Sequence, residues 1–147
     1  MKTLKTLLAV GVLALPGAAL AANVTVTFKN EHASQAATYH TTNSIESVTY
    51  ANANPKPSNT VEAGDTIVFT VAQITSLVTT AQIRYKIGSK QCVFHTAFTG
   101  TPPSILGGGV IPNWTKSATP SGGATCTANI TSANASTFDW TVTFTMK

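Results

Sequence analysis

The chain has 147 residues, with nine Lys and Arg against five Asp and Glu and a formal charge of +4. Two of the cations, Lys2 and Lys5, sit at the extreme N-terminus; without them the balance is seven against five. So weak and scattered an excess excludes the clustered basic face of a nucleic-acid binder. Abundant Thr, Ser, Asn and Ala with few charges suit an extracellular or periplasmic β protein.

Lys2 and Lys5 precede the apolar run Leu7–Leu15, the helix breakers Pro16 and Gly17, and the small-x-small tripeptide Ala19-Leu20-Ala21. This is the pattern of a cleaved secretory signal over residues 1–21, and its alanine-rich end is of a bacterial kind. The run is too short to span a bilayer, which needs roughly 20 apolar residues. The expected mature chain, 22–147, has the size of one domain.

Val24, Val26 and Phe28 alternate with Thr25, Thr27 and Lys29, which predicts a half-buried strand ending at Asn30. Short strands are expected at Ala37–Thr42 and Ile45–Tyr50. Pro55 and Pro57 make 52–59 a loop, and Glu62-Ala63-Gly64-Asp65 reads as a turn. Thr66–Gln73 is the next strand. Ala81–Ile87 and Gln91–Phe98 around Gly88-Ser89 read as a hairpin. Thr125–Thr131 leads into the last strand, where Phe138, Trp140, Val142, Phe144 and Met146 alternate with Thr137, Asp139, Thr141, Thr143 and Thr145. Seven to eight short strands and no amphipathic helix predict an all-β domain, a single antiparallel β-sandwich or a flattened barrel.

Between the last two strands and the hairpin lies Gly100–Gly123, rich in Pro and Gly, which reads as one long irregular loop. Loops of that length are often functional. This one is unusually apolar, carrying Ile105, Leu106, Val110, Ile111 and Trp114. Those five residues are the candidate binding element, either folded back over the core or exposed to a partner. Tyr50 and Trp140 are further aromatic candidates, although the alternation places Trp140 in the core. Cys92 and Cys126 are the only cysteines, and an even count in an exported chain predicts one disulfide. Closing a loop of about 35 residues is worth roughly 4 kcal/mol in the chain-entropy model.

The chemistry of catalysis has little to build on. The mature acids are Glu31, Glu46, Glu62, Asp65 and Asp139, and the histidines are His32, His40 and His95. No G-x-S-x-G or H-E-x-x-H motif is present. No catalytic residue, metal ligand or cofactor is assigned, and an enzyme is not the expected reading.

Two resemblances remain. The segments Val24–Phe28 and Thr60–Phe69, with the Gly64-Asp65 turn leading into a strand, resemble cupredoxin strands. That likeness implies a sandwich holding copper through His, Cys, His and Met. Here no Met follows His95 at close range, and Cys92 has a disulfide partner. The strand ending in Asn30, the turn and strand over 62–71, and the aromatic-bearing loop resemble the layout of aegerolysins, which implies lipid binding. The leading expectation is a secreted or periplasmic, non-enzymatic binding module acting through its apolar loop on a membrane surface, a glycan or a protein. The alternatives are a subunit of an extracellular fibre or matrix, self-associating through edge strands near the termini, and a cupredoxin-like copper protein.

Overall fold

The structure, a computed structural model, describes residues 22–72, 74–75, 77–102 and 109–147. The expected signal, Ile105 and Leu106 lie outside the described residues. In chain order the elements are β1 (Val24–Asn30), β2 (Ala37–Tyr39), α1 (Ser44–Asn52), β3 (Ala53–Asn54), β4 (Thr60–Val61) and β5 (Thr66–Val71). Then follow β6 (Val78–Ile87), β7 (Lys90–Thr101), β8 (Ile111–Ser121), β9 (Cys126–Ala133) and β10 (Trp140–Met146). They form two five-stranded sheets, one ordered β3-β5-β1-β10-β9 and the other β4-β2-β6-β7-β8.

The alternation written into β1 and β10 is the alternation of burial observed: every Val, Phe, Trp and Met on one face is buried and the Thr residues face outward. The two inner faces share one core. Phe28 of one sheet stacks on Tyr85 of the other at 3.9 Å, and Phe94 stacks on Phe144 at 4.9 Å. Trp140 is 2 % exposed, and its Nε1 donates to Thr96 Oγ1 at 2.9 Å. Thr96 in turn donates to the Thr115 carbonyl at 2.8 Å, so this buried polar pair is fully used.

Four findings correct the sequence reading. First, among the described residues the sandwich has ten strands rather than seven or eight, the added ones being the two-residue β3 and β4 and the long β8. Second, β1 and β10 are not edge strands. They pair in parallel with each other from Val24↔Trp140 to Asn30↔Met146, at the centre of their sheet. Both sides of β1 and β10 are therefore paired within the sheet, and among the described residues the long unpaired edges belong to β8 and β9. These lie on the same side of the sandwich, where Lys116 Nζ of β8 donates to Asn129 Oδ1 of β9 at 3.0 Å.

Third, Ile45–Tyr50 is helical. Asn43 caps α1 by accepting from the Glu46 amide at 2.9 Å, and Glu46 reaches back to accept from the Thr42 amide at 2.6 Å, a variant of the capping box. The helix turns its polar residues Glu46 and Thr49 inward and leaves Ile45 and Val48 exposed. Glu46 accepts from Arg84 Nε at 3.0 Å, from Arg84 Nη2 at 2.9 Å and from Gln82 Nε2 at 3.3 Å, while Thr49 Oγ1 accepts from the Gln82 amide at 2.9 Å. The helix thereby covers the stretch of β6 that β2 leaves unpaired, one of the ways proteins close a sheet edge.

Fourth, much of the supposed loop 100–123 is strand. β8 runs antiparallel to β7 from Thr101↔Ile111 to Gln91↔Ser121. Pro112 and Pro120 are tolerated because β8 is an edge strand with one side of its backbone unpaired. The turn after it needs glycine: Gly122 has φ of +62°, and a Cβ there would lie 1.9 Å from the Ser89 carbonyl oxygen. Just beyond, the Cys92–Cys126 disulfide ties β7 to β9 with the Cα atoms 5.8 Å apart, joining the two sheets.

Candidate functional site

One end of the sandwich gathers the features that a binding surface needs. Register places the start of β1, the end of β5, the end of β9 and the start of β10 together, through Val24↔Val71, Val24↔Trp140 and Trp140↔Ala133. In the other sheet the start of β6, the end of β7 and the start of β8 meet through Val78↔Thr99 and Thr101↔Ile111. The two sheets share this end, because Phe98 of β7 stacks on Phe138 at 5.0 Å and lies 6.2 Å from the Trp140 ring.

Three connections join strands that reach this end: 72–77, 102–110 and 134–139. Together they contain a single charged residue, Asp139. Leu77 of the first and Val110 of the second both flank Gly100 of β7. The Gly100 amide donates to the Leu77 carbonyl at 2.8 Å, and a Cβ on Gly100 would meet Val110 Cγ1 at 2.7 Å and Leu77 Cδ2 at 3.1 Å. Around them Ile111, Val78 and Ile74 are 65 %, 44 % and 40 % exposed. The opposite end is charged, with Glu62, Asp65 and Lys90 at its turns and an exposed Lys147–Glu31 pair at 2.9 Å.

Of the five residues expected to bind, the structure brings three into view and gives them different jobs. Ile111 is exposed at the tip. Val110 is half-buried and packs on the core. Trp114 lies on the inner side of β8, tilted against Phe98 at 6.0 Å, with Nε1 donating to the Phe138 carbonyl at 3.3 Å. It is a support for the 134–139 connection rather than an exposed anchor. Trp140 is in the core, and Tyr50 lies against Tyr39 at 5.7 Å beneath Lys56. Sequence reading missed Ile74 and Val78. The uncharged, aliphatic run around them was the available signal.

Beside the tip, Thr25, Ser132, Ala133, Asn134, Asp139, Trp140 and Thr141 line a shallow depression of about 320 Å³. Asp139 Oδ1 accepts from the Asn23 amide at 2.8 Å. The wall is held in an unusual conformation: Phe138 has φ of +65°, a region that bulky side chains avoid at a cost of about 1–3 kcal/mol. Its amide donates to the Asn134 carbonyl at 2.7 Å, its carbonyl takes the Trp114 hydrogen bond, and its ring fills the core against Phe98.

Elsewhere, His95 and Glu46 are held by the fold. Burial pushes the His95 imidazole below its ordinary value, and Nε2 is hydrogen-bonded to Thr80 Oγ1 at 2.9 Å. Burial opposes ionisation of Glu46, but the Thr42, Arg84 and Gln82 donors outweigh it and hold the carboxyl below its ordinary 4.5. Both shifts act in the same direction. Neutral His95 and ionised Glu46 are the forms that the fold favours, so the unfolded chain binds protons more readily and acid destabilises. Stability is expected to decline as pH falls below about 6.5, the ordinary histidine value, and again below the ordinary carboxylate range. In thermal melts against pH, His95→Gln should remove the upper step and Glu46→Gln the lower.

Cys92 is committed to its disulfide, which removes the thiolate that a blue-copper centre requires. Among the described residues, no three His, Cys, Asp or Glu side chains gather as a metal site would require. Among the same residues, no helix is long and apolar enough to cross a membrane. No protein-family model, characterised protein or solved structure matches this chain.

Proposed function

We propose that this protein is an exported, non-enzymatic binding module whose uncharged end docks on a lipid surface. The observation that carries this reading is the polarity of the molecule: exposed Ile74, and Val78 and Ile111 at the strand starts beside it, adjoin connections holding one charge, while the turns at the far end are charged. Interfacial binding scales with the apolar area that leaves water. A fully buried aliphatic side chain is worth about 1.5–3 kcal/mol. Three partly exposed ones supply about 3 kcal/mol toward docking. The disulfide fits an oxidising compartment, which agrees with the expected signal over 1–21.

The test is flotation of the mature protein with lipid vesicles. Ile111→Asp with Val78→Asp is expected to weaken vesicle binding at least tenfold; Ile111 is 65 % exposed and should tolerate the change with its melting temperature kept, while Val78, 44 % exposed, should lower it only modestly. Unchanged binding by the double variant would overturn the reading. A fibre subunit is the weaker alternative. β8 offers eleven residues paired on one side only, but Pro112, Lys116 and Pro120 guard that edge. A monomer at high concentration is therefore expected in sedimentation.

A further inference from the structure

Docking through the tip makes no use of the outward face of the β3-β5-β1-β10-β9 sheet. On its central pair, Thr25, Thr27 and Lys29 of β1 stand in register beside Thr141, Thr143 and Thr145 of β10. β5 continues the three rows with Thr70, Val68 and Thr66, and β9 continues them with Ser132, Asn129 and Thr127. Hydroxyl-bearing residues fill every position of this array except Lys29, Val68 and Asn129, and all of its positions are half-buried or exposed. The outward side of β6 in the other sheet is of the ordinary kind, with Gln82, Arg84 and Lys86. Nor are the threonines spent on holding the fold. Among the described residues, the hydroxyls of Thr27, Thr66, Thr127, Thr143 and Thr145 bond to no other protein group.

Charge, chemistry and area narrow the occupant. The array holds one cation and no carboxylate, so it matches an uncharged partner. It carries no aromatic ring on which a sugar could stack. Four strands about 4.8 Å apart, covering about 20 Å of strand length, give a patch of roughly 400 Å². That is half of the about 800 Å² that each partner buries in a stable protein complex. What the face does supply is a repeat in two dimensions. Neighbouring strands lie about 4.8 Å apart, and like-facing side chains recur about every 6.7 Å along each strand. These spacings are close to the two repeats of the oxygen lattice on a prism face of hexagonal ice, the first slightly longer and the second slightly shorter. β-branching keeps the threonine χ1 in few rotamers, so hydroxyls and methyls are set in place before contact and little ordering cost remains. Strand twist of about 20–25° limits the match to a small patch. The row of Thr25 and Thr141 borders the shallow depression, and there the Thr25 and Thr70 hydroxyls turn to within 3.5 Å of each other. The regular part of the array is therefore centred on Thr27 and Thr143. We propose that this threonine face adsorbs to the surface of ice crystals, with Thr27 and Thr143 at the centre of the contact.

This face is distinct from the tip, and neither reading depends on the other. The test grows ice slowly through a solution of the fluorescently labelled mature protein. The wild type is expected to be taken up into the ice, to facet a single crystal, and to inhibit recrystallisation. Thr27→Lys with Thr143→Lys breaks the array at its centre and should raise the concentration needed for that inhibition at least tenfold. Thr119→Lys, on the outward side of β8 in the other sheet, should leave the activity unchanged. Thr27→Ser with Thr143→Ser keeps the hydroxyls but gives up the methyls and the fixed rotamers. It is expected to lose most of the activity while staying folded by circular dichroism, and it carries the test should the lysine variant fail to fold. Ile111→Asp with Val78→Asp should adsorb to ice as the wild type does. Exclusion of the wild type from the growing ice overturns the inference, as does undiminished activity in the folded lysine or serine variant. Adsorption to crystalline cellulose or chitin without adsorption to ice overturns it too and reassigns the face to a glycan.

Discussion

Replacing Glu46 by Ala is expected to lower the stability of the protein by about 3–5 kcal/mol, a large share of the 5–15 kcal/mol that holds a typical domain. The carboxylate is fully buried and accepts from the Thr42 amide and hydroxyl, Gln82 Nε2 and Arg84 Nε and Nη2. Its removal leaves a guanidinium whose side chain is 15 % exposed without an anion. It also releases α1 from the edge of β6 and weakens the start of that helix. The pair itself contributes much less than its loss suggests, because burying both ions carries a desolvation penalty. Glu46→Leu combined with Arg84→Leu should therefore recover most of the stability lost in Glu46→Ala. Urea unfolding of the two single variants and the double variant measures the coupling. A loss below about 1 kcal/mol in Glu46→Ala would mean that the pair is screened like a surface ion pair.

Removal of the disulfide in Cys92→Ala, Cys126→Ala is expected to cost about 4 kcal/mol, the loop-entropy figure for a separation of 34 residues. Alanine suits the site because Cys92 is completely buried, where a serine hydroxyl would add a desolvation penalty of its own. The bridge also matters through its place in the fold. It joins the sheets on the side where β8 and β9 each lack a strand neighbour, so its loss should loosen that side first. Hydrogen exchange is expected to show the amides of β8 and β9 losing protection, while those of β1 and β10 keep theirs. Guanidinium midpoints of oxidised and reduced protein give the overall magnitude. A difference below about 1 kcal/mol would place the cohesion of the sheets in the aromatic core alone.

The sequence by itself determined the two long alternating strands, β1 and β10, and the hairpin of β6 and β7. In each, the apolar side chains recur every second residue, and that period matches the pleat of a half-buried strand. The turns at Gly64-Asp65 and Gly88-Ser89 were legible for a related reason. Both glycines adopt positive φ, at +84° and +58°, which other residues resist. The disulfide followed from the cysteine count.

Only the tertiary structure decided the rest. Helix α1 buries Glu46 and Thr49 and exposes Ile45 and Val48, so a reading keyed to buried apolar side chains had the faces reversed. The Asn43-x-x-Glu46 spacing was its one local signal. β8 was hidden because an edge strand covers only part of one face, and Pro112, Lys116 and Pro120 occupy inward positions where apolar residues would have marked the period. The parallel pairing of the terminal strands joins residues more than a hundred positions apart, and periodicity carries no information about register. The same limit governs the candidate site. Ile111 was visible as an apolar residue, but its neighbours Val78 and Ile74, the turning of Trp114 toward the core, and the depression around Asp139 exist only once distant connections meet at one end of the two sheets.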